Sequence, residues 1–194
     1  MGLSFVSQLR GPPHWALAPV MSRPARNASV KGILSPKRRF FVTTKTIMGR
    51  ALLQSERNAM LFIEVLRSYV AARRFQLDDF VVMPNHVHLI VTVTDNATIE
   101  KAMGLIKGRF SYRLKKEFGY LGEVWQPGFS EARADDERSF LKYREYIAQN
   151  PVKAGLADSA EQYPYCYAYL VKRKAAAAKA RRLQAPCGTA KAEP

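Results

Sequence analysis

The nine residues His86-Val87-His88-Leu89-Ile90-Val91-Thr92-Val93-Thr94 constrain this chain more than any other stretch. Val, Ile and Thr dominate the run, so it reads as a β-strand. Successive side chains of a strand point to opposite faces. Val87, Leu89, Val91 and Val93 therefore share one face, which is the expected core. His86, His88, Ile90, Thr92 and Thr94 share the other. The chain has only three histidines, and two of them stand side by side on the less apolar face of one strand. Paired imidazoles in that arrangement can grip one metal ion.

The flanking pattern supplies the rest of a domain. Residues 39–47 (Arg-Phe-Phe-Val-Thr-Thr-Lys-Thr-Ile) read as a first strand. Residues 55 to about 74 read as a helix, with Leu61, Phe62, Val65, Leu66 and Tyr69 at helical spacing. Residues 76–83 form a second strand, and Pro84-Asn85 turns it into the histidine strand as an antiparallel pair. A second helix spans 98 to about 118, with Met103, Ile106, Phe110 and Leu114 on one stripe and Arg109, Arg113 and Lys116 on another. Gly119 is its expected end. Glu123-Val124-Trp125 reads as a short fourth strand before a turn at Gln126-Pro127-Gly128. Residues 135 to about 150 read as a third helix, with Asp135, Asp136 and Glu137 in its first turn and Pro151 ending it close by. This order predicts an α+β fold, ferredoxin-like or RRM-like. An antiparallel sheet carries helices on one face, and the other face is left for a ligand.

Charge points to the partner. A formal charge of +15 at pH 7 usually means a polyanion, most often nucleic acid. Two cysteines without a C-x-x-C pair argue against a disulfide framework or zinc knuckle and suggest a reduced, cytoplasmic setting. No apolar run approaches the roughly 20 residues of a membrane helix. Residues 1–35 are proline-rich and without periodicity, and no acidic residue precedes Glu56. They read as a flexible basic arm, or as translation from a start codon upstream of the true one. Their prolines break the amphipathic helix that a transit peptide requires. Residues 36–170 read as the domain. Residues 171–194 read as a basic tail, a frayed helix or disordered, suited to phosphate attraction or simple solubility.

Two histidines rarely hold a catalytic metal alone. On the third helix, Phe140, Leu141, Arg144, Ile147 and Ala148 form the expected core face, while Tyr146 and Asn150 stack four apart on one flank. If this helix crosses the open sheet face, Tyr146 and Asn150 meet the histidines. An Asn carbonyl oxygen is a hard ligand, suited to magnesium or manganese. Tyr143 lies nearer the apolar stripe and is the fallback nucleophile. Asp78 and Asp79 read as edge or loop charges, with a metal role the lesser option. Tyr163, Tyr165, Tyr167 and Tyr169 alternate, suggesting a short terminal strand or a packed extended segment, with base stacking as a further use. His14 has no assigned role.

Four blocks in this order and spacing resemble the REP-associated tyrosine transposases of bacteria, single-tyrosine transposases of the HUH class. They are Met83-Pro84-Asn85-His86-Val87-His88, then Lys107-Gly108, then Trp125-Gln126-Pro127-Gly128-Phe129, then Tyr146 through Leu156. The likeness runs from about Arg38 to Tyr169 and departs at Ser130-Glu131-Ala132. It implies a ferredoxin-like enzyme that cuts and rejoins single-stranded DNA near hairpins. In it, His86, His88 and Asn150 are metal ligands for Mg2+ or Mn2+ and Tyr146 is the nucleophile that forms a 5′-phosphotyrosine. Relatives in the wider class work as dimers, so a homodimer is possible on the resemblance. In this basic chain Lys107, Arg109, Arg113, Lys116 and Lys153 are the candidate nucleic-acid contacts. Two other readings stay open: a catalytically silent nucleic-acid-binding module, and a metal phosphodiesterase that uses water.

Overall fold

The computed structural model describes residues 37–94 and 97–184. The readings made for residues 1–35 and for the last ten residues lie outside them. Four strands, β1 (Lys37–Lys45), β2 (Gln76–Val82), β3 (His86–Thr94) and β4 (Ser130–Arg133), form one antiparallel sheet in the order β2-β3-β1-β4. Helices α1 (Glu56–Ala71) and α2 (Ile99–Phe118) connect β1 to β2 and β3 to β4. This is the expected α+β, ferredoxin-like arrangement.

Burial explains the layers. Val87, Leu89, Val91 and Val93 of β3 join Phe40, Val42, Phe80 and Val82 of the neighbouring strands. The apolar stripes of α1 and α2 cover them. Phe62 of α1 sits fully buried, edge-on to Phe110 of α2 and tilted against Trp125. Phe62→Ala is expected to cost about 3–5 kcal/mol, read as a lowered denaturant midpoint with unchanged slope. Ser55 and Thr98 cap the two helices through their side chains, and Gly119 ends α2 at φ +66°.

The second face of the sheet carries its own core of Phe41, Val81, Met83 and Ile90. β3 lies inside the sheet, so both its faces seek cover. Helix α3 (Glu137–Lys153) crosses this face and buries Ile147 there. Its inward side is turned from the expected one. Phe140, Tyr143, Ile147 and Pro151 point inward, while Leu141 is exposed and Arg144 reaches across to Asp79. That rotation brings the flank bearing Tyr146 and Asn150 over the histidines. Pro151 does not stop the helix. Asn150 and Pro151 carbonyls accept from Ala154 and Leu156, and the chain leaves at Gly155 in the left-handed region, φ +66°. At the other end Asp136 is the N-cap, accepting from Ser139 N–H, so the helix begins two residues later than the acidic run suggested.

The fourth strand also falls elsewhere than expected. Residues 124–126 touch the edge of β1 only through a Thr46–Trp125 bridge and single backbone bonds. Pro127 has no N–H for a ladder, and Gly128 takes φ +71°, so the chain loops out before pairing Ser130–Arg133 with Phe40–Thr43. Nor do the alternating tyrosines form a terminal strand. Tyr163 lies extended and Tyr165 sits in a turn beside the β2 edge, where Tyr163 O–H donates to Val82 O and Val82 N–H donates to Tyr165 O. Tyr167 already opens helix α4 (Tyr167–Gln184), so the proximal tail is helical.

Neither aspartate is a free edge charge. Asp78 pairs with Arg39, and buried Asp79 accepts from Phe80 N–H and from Arg144 Nε at 3.1 Å. Burial lifts the Asp79 carboxyl above its ordinary range, and Arg144 offsets part of that. Because the folded value is raised, the penalty for ionised Asp79 appears as pH rises through it. Arg144→Met removes the offset. The variant should lose about 1–2 kcal/mol at pH 7, with the gap to wild type narrowing on acidification in paired urea melts.

Candidate active site

The start of the histidine strand is held in register by its turn and by its neighbour. Thr46 N–H and Oγ1 both donate to Asn85 O, and Leu53 N–H donates to Pro84 O, which pins the turn before β3. Across the sheet, Lys45 faces His86 and Thr43 faces His88. Thr43 Oγ1 lies 2.8 Å from His88 Nδ1, and Asn85 Oδ1 lies 2.7 Å from His86 Nδ1. Each ring thus has Nδ1 engaged by a neighbour, the support that orients a metal-binding imidazole and leaves Nε2 to coordinate.

The two rings meet edge to face at 4.8 Å between centroids. His88 is buried at 4% exposure and stacks on Phe41 at 5.4 Å; His86 is partly exposed. Burial pushes the His86 imidazole down to about 4, with the neighbouring Asn150 side chain opposing that shift and Lys45 adding to it. Burial also takes His88 well below the usual histidine range, reinforced by His86 and Lys45. Both shifts favour the neutral ring, the form that coordinates a cation.

Helix α3 completes the cluster. The Tyr146 ring stands 5.1 Å from His88 and 5.6 Å from Phe41, edge-on to both, and is 43% exposed. Tyr143 lies flat on Phe41 at 4.4 Å and 2°, a packing role. His86, His88, Tyr146 and Asn150 thus converge from β3 and α3 of a single chain. Among the described residues no group of three His, Cys, Asp or Glu could hold a metal. The third donor would be the neutral Asn150 amide, whose oxygen suits a hard divalent cation of the magnesium or manganese type, while the two imidazoles suit borderline divalent transition ions.

The candidate nucleic-acid residues are more scattered. Helix α2 packs on the sheet face opposite the histidines, so Arg109 and Lys116 look outward on the far side. Lys107 Nζ donates to the carbonyls of Gln126 and Gly128, holding the loop before β4, and Trp125 Nε1 donates back to Lys107 O. Arg113 is tied to Glu64 and Glu117. Lys153 ends α3, exposed, one turn beyond Asn150. Glu131, opposite Val42, faces the α1–α2 layer, whereas Ser130 and Ala132 stand on the histidine face.

Sequence reasoning missed Phe41, Thr43 and Lys45. The signal was available in principle. Once β1 and β3 are paired, alternation puts these three on the histidine face, but the register needed the third dimension.

The site thus joins a phenol to paired imidazoles on the sheet of a basic protein. Comparison with known proteins makes this specific. A family model described as "Transposase IS200 like" matches residues 25–150, more than half of the chain, and the chain belongs to that family. It is therefore a transposase-like, DNA-processing enzyme. A REP-associated tyrosine transposase of Escherichia coli is 26% identical over 144 residues, covering 68% of this chain and 81% of that protein. A similar protein from Haemophilus influenzae, named as a putative REP-associated tyrosine transposase, is 26% identical over 94 residues, 43% of this chain and 53% of that one. A solved structure of a REP-associated tyrosine transposase bound to a REP hairpin matches with TM-score 0.53 and 26% identity, over 66% of this chain and 75% of the other. Among the described residues no helix is long and apolar enough to cross a membrane.

Proposed function

We propose that this protein cuts and rejoins single-stranded DNA beside a hairpin, through a 5′-phosphotyrosine on Tyr146. The observation that carries the reading is the approach of Tyr146 and Asn150, from one flank of α3, to His88 and His86. The solved relative bound to a REP hairpin supports the choice of a hairpin-bearing strand.

His86, His88 and Asn150 would hold a divalent ion, Mg2+ or Mn2+, which when bound polarises a scissile phosphate and stabilises charge developing on it. The rest falls to the protein. A free phenol has a pKa of about 10 and is a weak nucleophile at neutral pH, so position matters. Phe41 and His88 hold the Tyr146 ring by its edges, while its exposure leaves the hydroxyl open to a strand entering from solvent. Tyr146 Oη attacks phosphorus and gives up its proton. The bond from phosphorus to the 3′ oxygen breaks, and that oxygen takes a proton to become a free 3′-hydroxyl. An incoming 3′-hydroxyl reverses the step and releases the phenol, so rejoining needs no nucleotide cofactor. One chain supplies all four side chains, and the reading needs no second copy.

Incubation of the protein with a hairpin-bearing single strand and Mn2+ tests the proposal. A protein–DNA adduct that survives denaturation is the expected product. Cleavage without an adduct would favour a water-using phosphodiesterase, and binding without cleavage a silent module.

A further inference from the structure

Among the described residues no carboxylate joins the two imidazoles, the amide and the phenol, so the donor set brings no anionic ligand. A cation stands beside it. Lys45, the last residue of β1, pairs directly with His86 across the sheet. Directly opposed residues of an antiparallel pair share a face, with Cβ atoms about 5 Å apart. Thr43, two residues earlier on the same face, bonds His88, so the face is assigned by a contact and not by alternation alone. Lys45 is exposed, and its charge is felt by both imidazoles. Among the described residues its ammonium has no ion-pair partner, whereas Lys107 and Arg113 are tied up and Arg109 and Lys116 lie behind the sheet.

A lysine beside a divalent-ion site makes no sense as support for the ion, which it repels. It makes sense if an anion completes the site. We infer that Lys45 holds a non-bridging oxygen of the scissile phosphate, so that the DNA strand supplies the negative charge which the protein's own ligands lack. This deepens the strand-transfer reading and rests on it. Lys45 would bind the phosphodiester in the ground state and hold it more strongly as charge builds on the phosphoryl oxygens at the transition state. Because the ion and the strand each relieve the other's electrostatic cost, their binding is cooperative, and by linkage the effect is reciprocal.

The inference makes two effects of one substitution run in opposite directions. In Lys45→Gln, Mn2+ binding to the DNA-free protein should tighten, about two- to tenfold by titration with electron paramagnetic resonance, because a like charge has gone. Single-turnover cleavage at saturating Mn2+ should nevertheless slow by about 10²-fold, and Lys45→Arg should recover a large part of it. In a Tyr146→Phe background, where no cleavage intervenes, Lys45→Gln should weaken binding of a strand spanning the cut site. It should also reduce the salt slope by roughly one contact and leave the affinity for the bare hairpin stem unchanged. The inference is overturned if Lys45→Gln cleaves within threefold of wild type. It is equally overturned if the variant binds Mn2+ more weakly and regains full rate when the ion is saturating, which would make Lys45 a prop for the ligands. Absence of any adduct from the wild-type protein would instead sink the strand-transfer reading. The binding arm would still decide whether Lys45 grips the phosphate.

Discussion

Tyr146→Phe is expected to abolish the covalent adduct, and to reduce strand cleavage roughly 10³-fold or more, while leaving the fold and the hairpin affinity in place. The substitution deletes one oxygen and nothing else. Tyr146 touches Phe41 and His88 through its ring, and a phenyl ring keeps both contacts. Its hydroxyl accepts and donates no hydrogen bond among the described residues, and the side chain is 43% exposed. The stability change should therefore stay within about 0.5 kcal/mol. Tyr143→Phe is the matched control. That ring lies flat on Phe41, so its loss of a hydroxyl should alter neither adduct nor rate. Denaturing electrophoresis of labelled DNA separates the outcomes. An adduct that persists in Tyr146→Phe and vanishes in Tyr143→Phe would transfer the nucleophile to the neighbouring tyrosine.

Much of this arrangement is legible in the sequence itself. β3 coincides with the run from His86 to Thr94, because β-branched residues flanked by a Pro-Asn turn leave little choice. The two connecting helices follow from their apolar stripes and caps. Harder to read was anything governed by how elements sit on each other. The α3 stripe contains Leu141 and borders Tyr143, and only the sheet decides which faces inward. The aromatic surface of Phe41 draws in Tyr143, and Asp79 draws Arg144 sideways, so the helix rolls towards Tyr146. β4 departs from the strand expected at Glu123-Val124-Trp125 for a related reason. Glu123-Val124-Trp125 has stronger strand propensity than Ser130-Glu131-Ala132-Arg133, yet Trp125 is spent filling the α1–α2 core, and pairing resumes only beyond Pro127-Gly128. Propensity yielded there to tertiary packing. Lys107 shows the same limit in the site. A cation on a basic helix suggests phosphate, but its partners are two backbone carbonyls that no linear pattern reveals.

Removal of the divalent ion should have the second large effect, and the supporting shell predicts a graded series. Chelation is expected to stop adduct formation, with readdition of Mn2+ restoring it. His88→Ala and His86→Ala should both lose Mn2+ binding, yet differ in stability. His88 is buried, stacked on Phe41 and bonded to Thr43, so its truncation opens a void and strands the threonine hydroxyl, at about 1–3 kcal/mol. His86 is partly exposed, and its loss should cost the fold little. Thr43→Val preserves shape but removes the group that orients His88, and should weaken Mn2+ affinity roughly ten- to a hundredfold with full rate recovered at high Mn2+. Asn150→Ala should fall between these, since it removes a neutral donor beside His86 without leaving a buried charge. Mn2+ titration by paramagnetic resonance, run beside the adduct assay, separates loss of the ion from loss of the fold. A chelated protein that formed the adduct at the undiminished rate would leave His86 and His88 as positioning groups for Tyr146, and the chemistry would then rest on the phenol and its neighbouring cation.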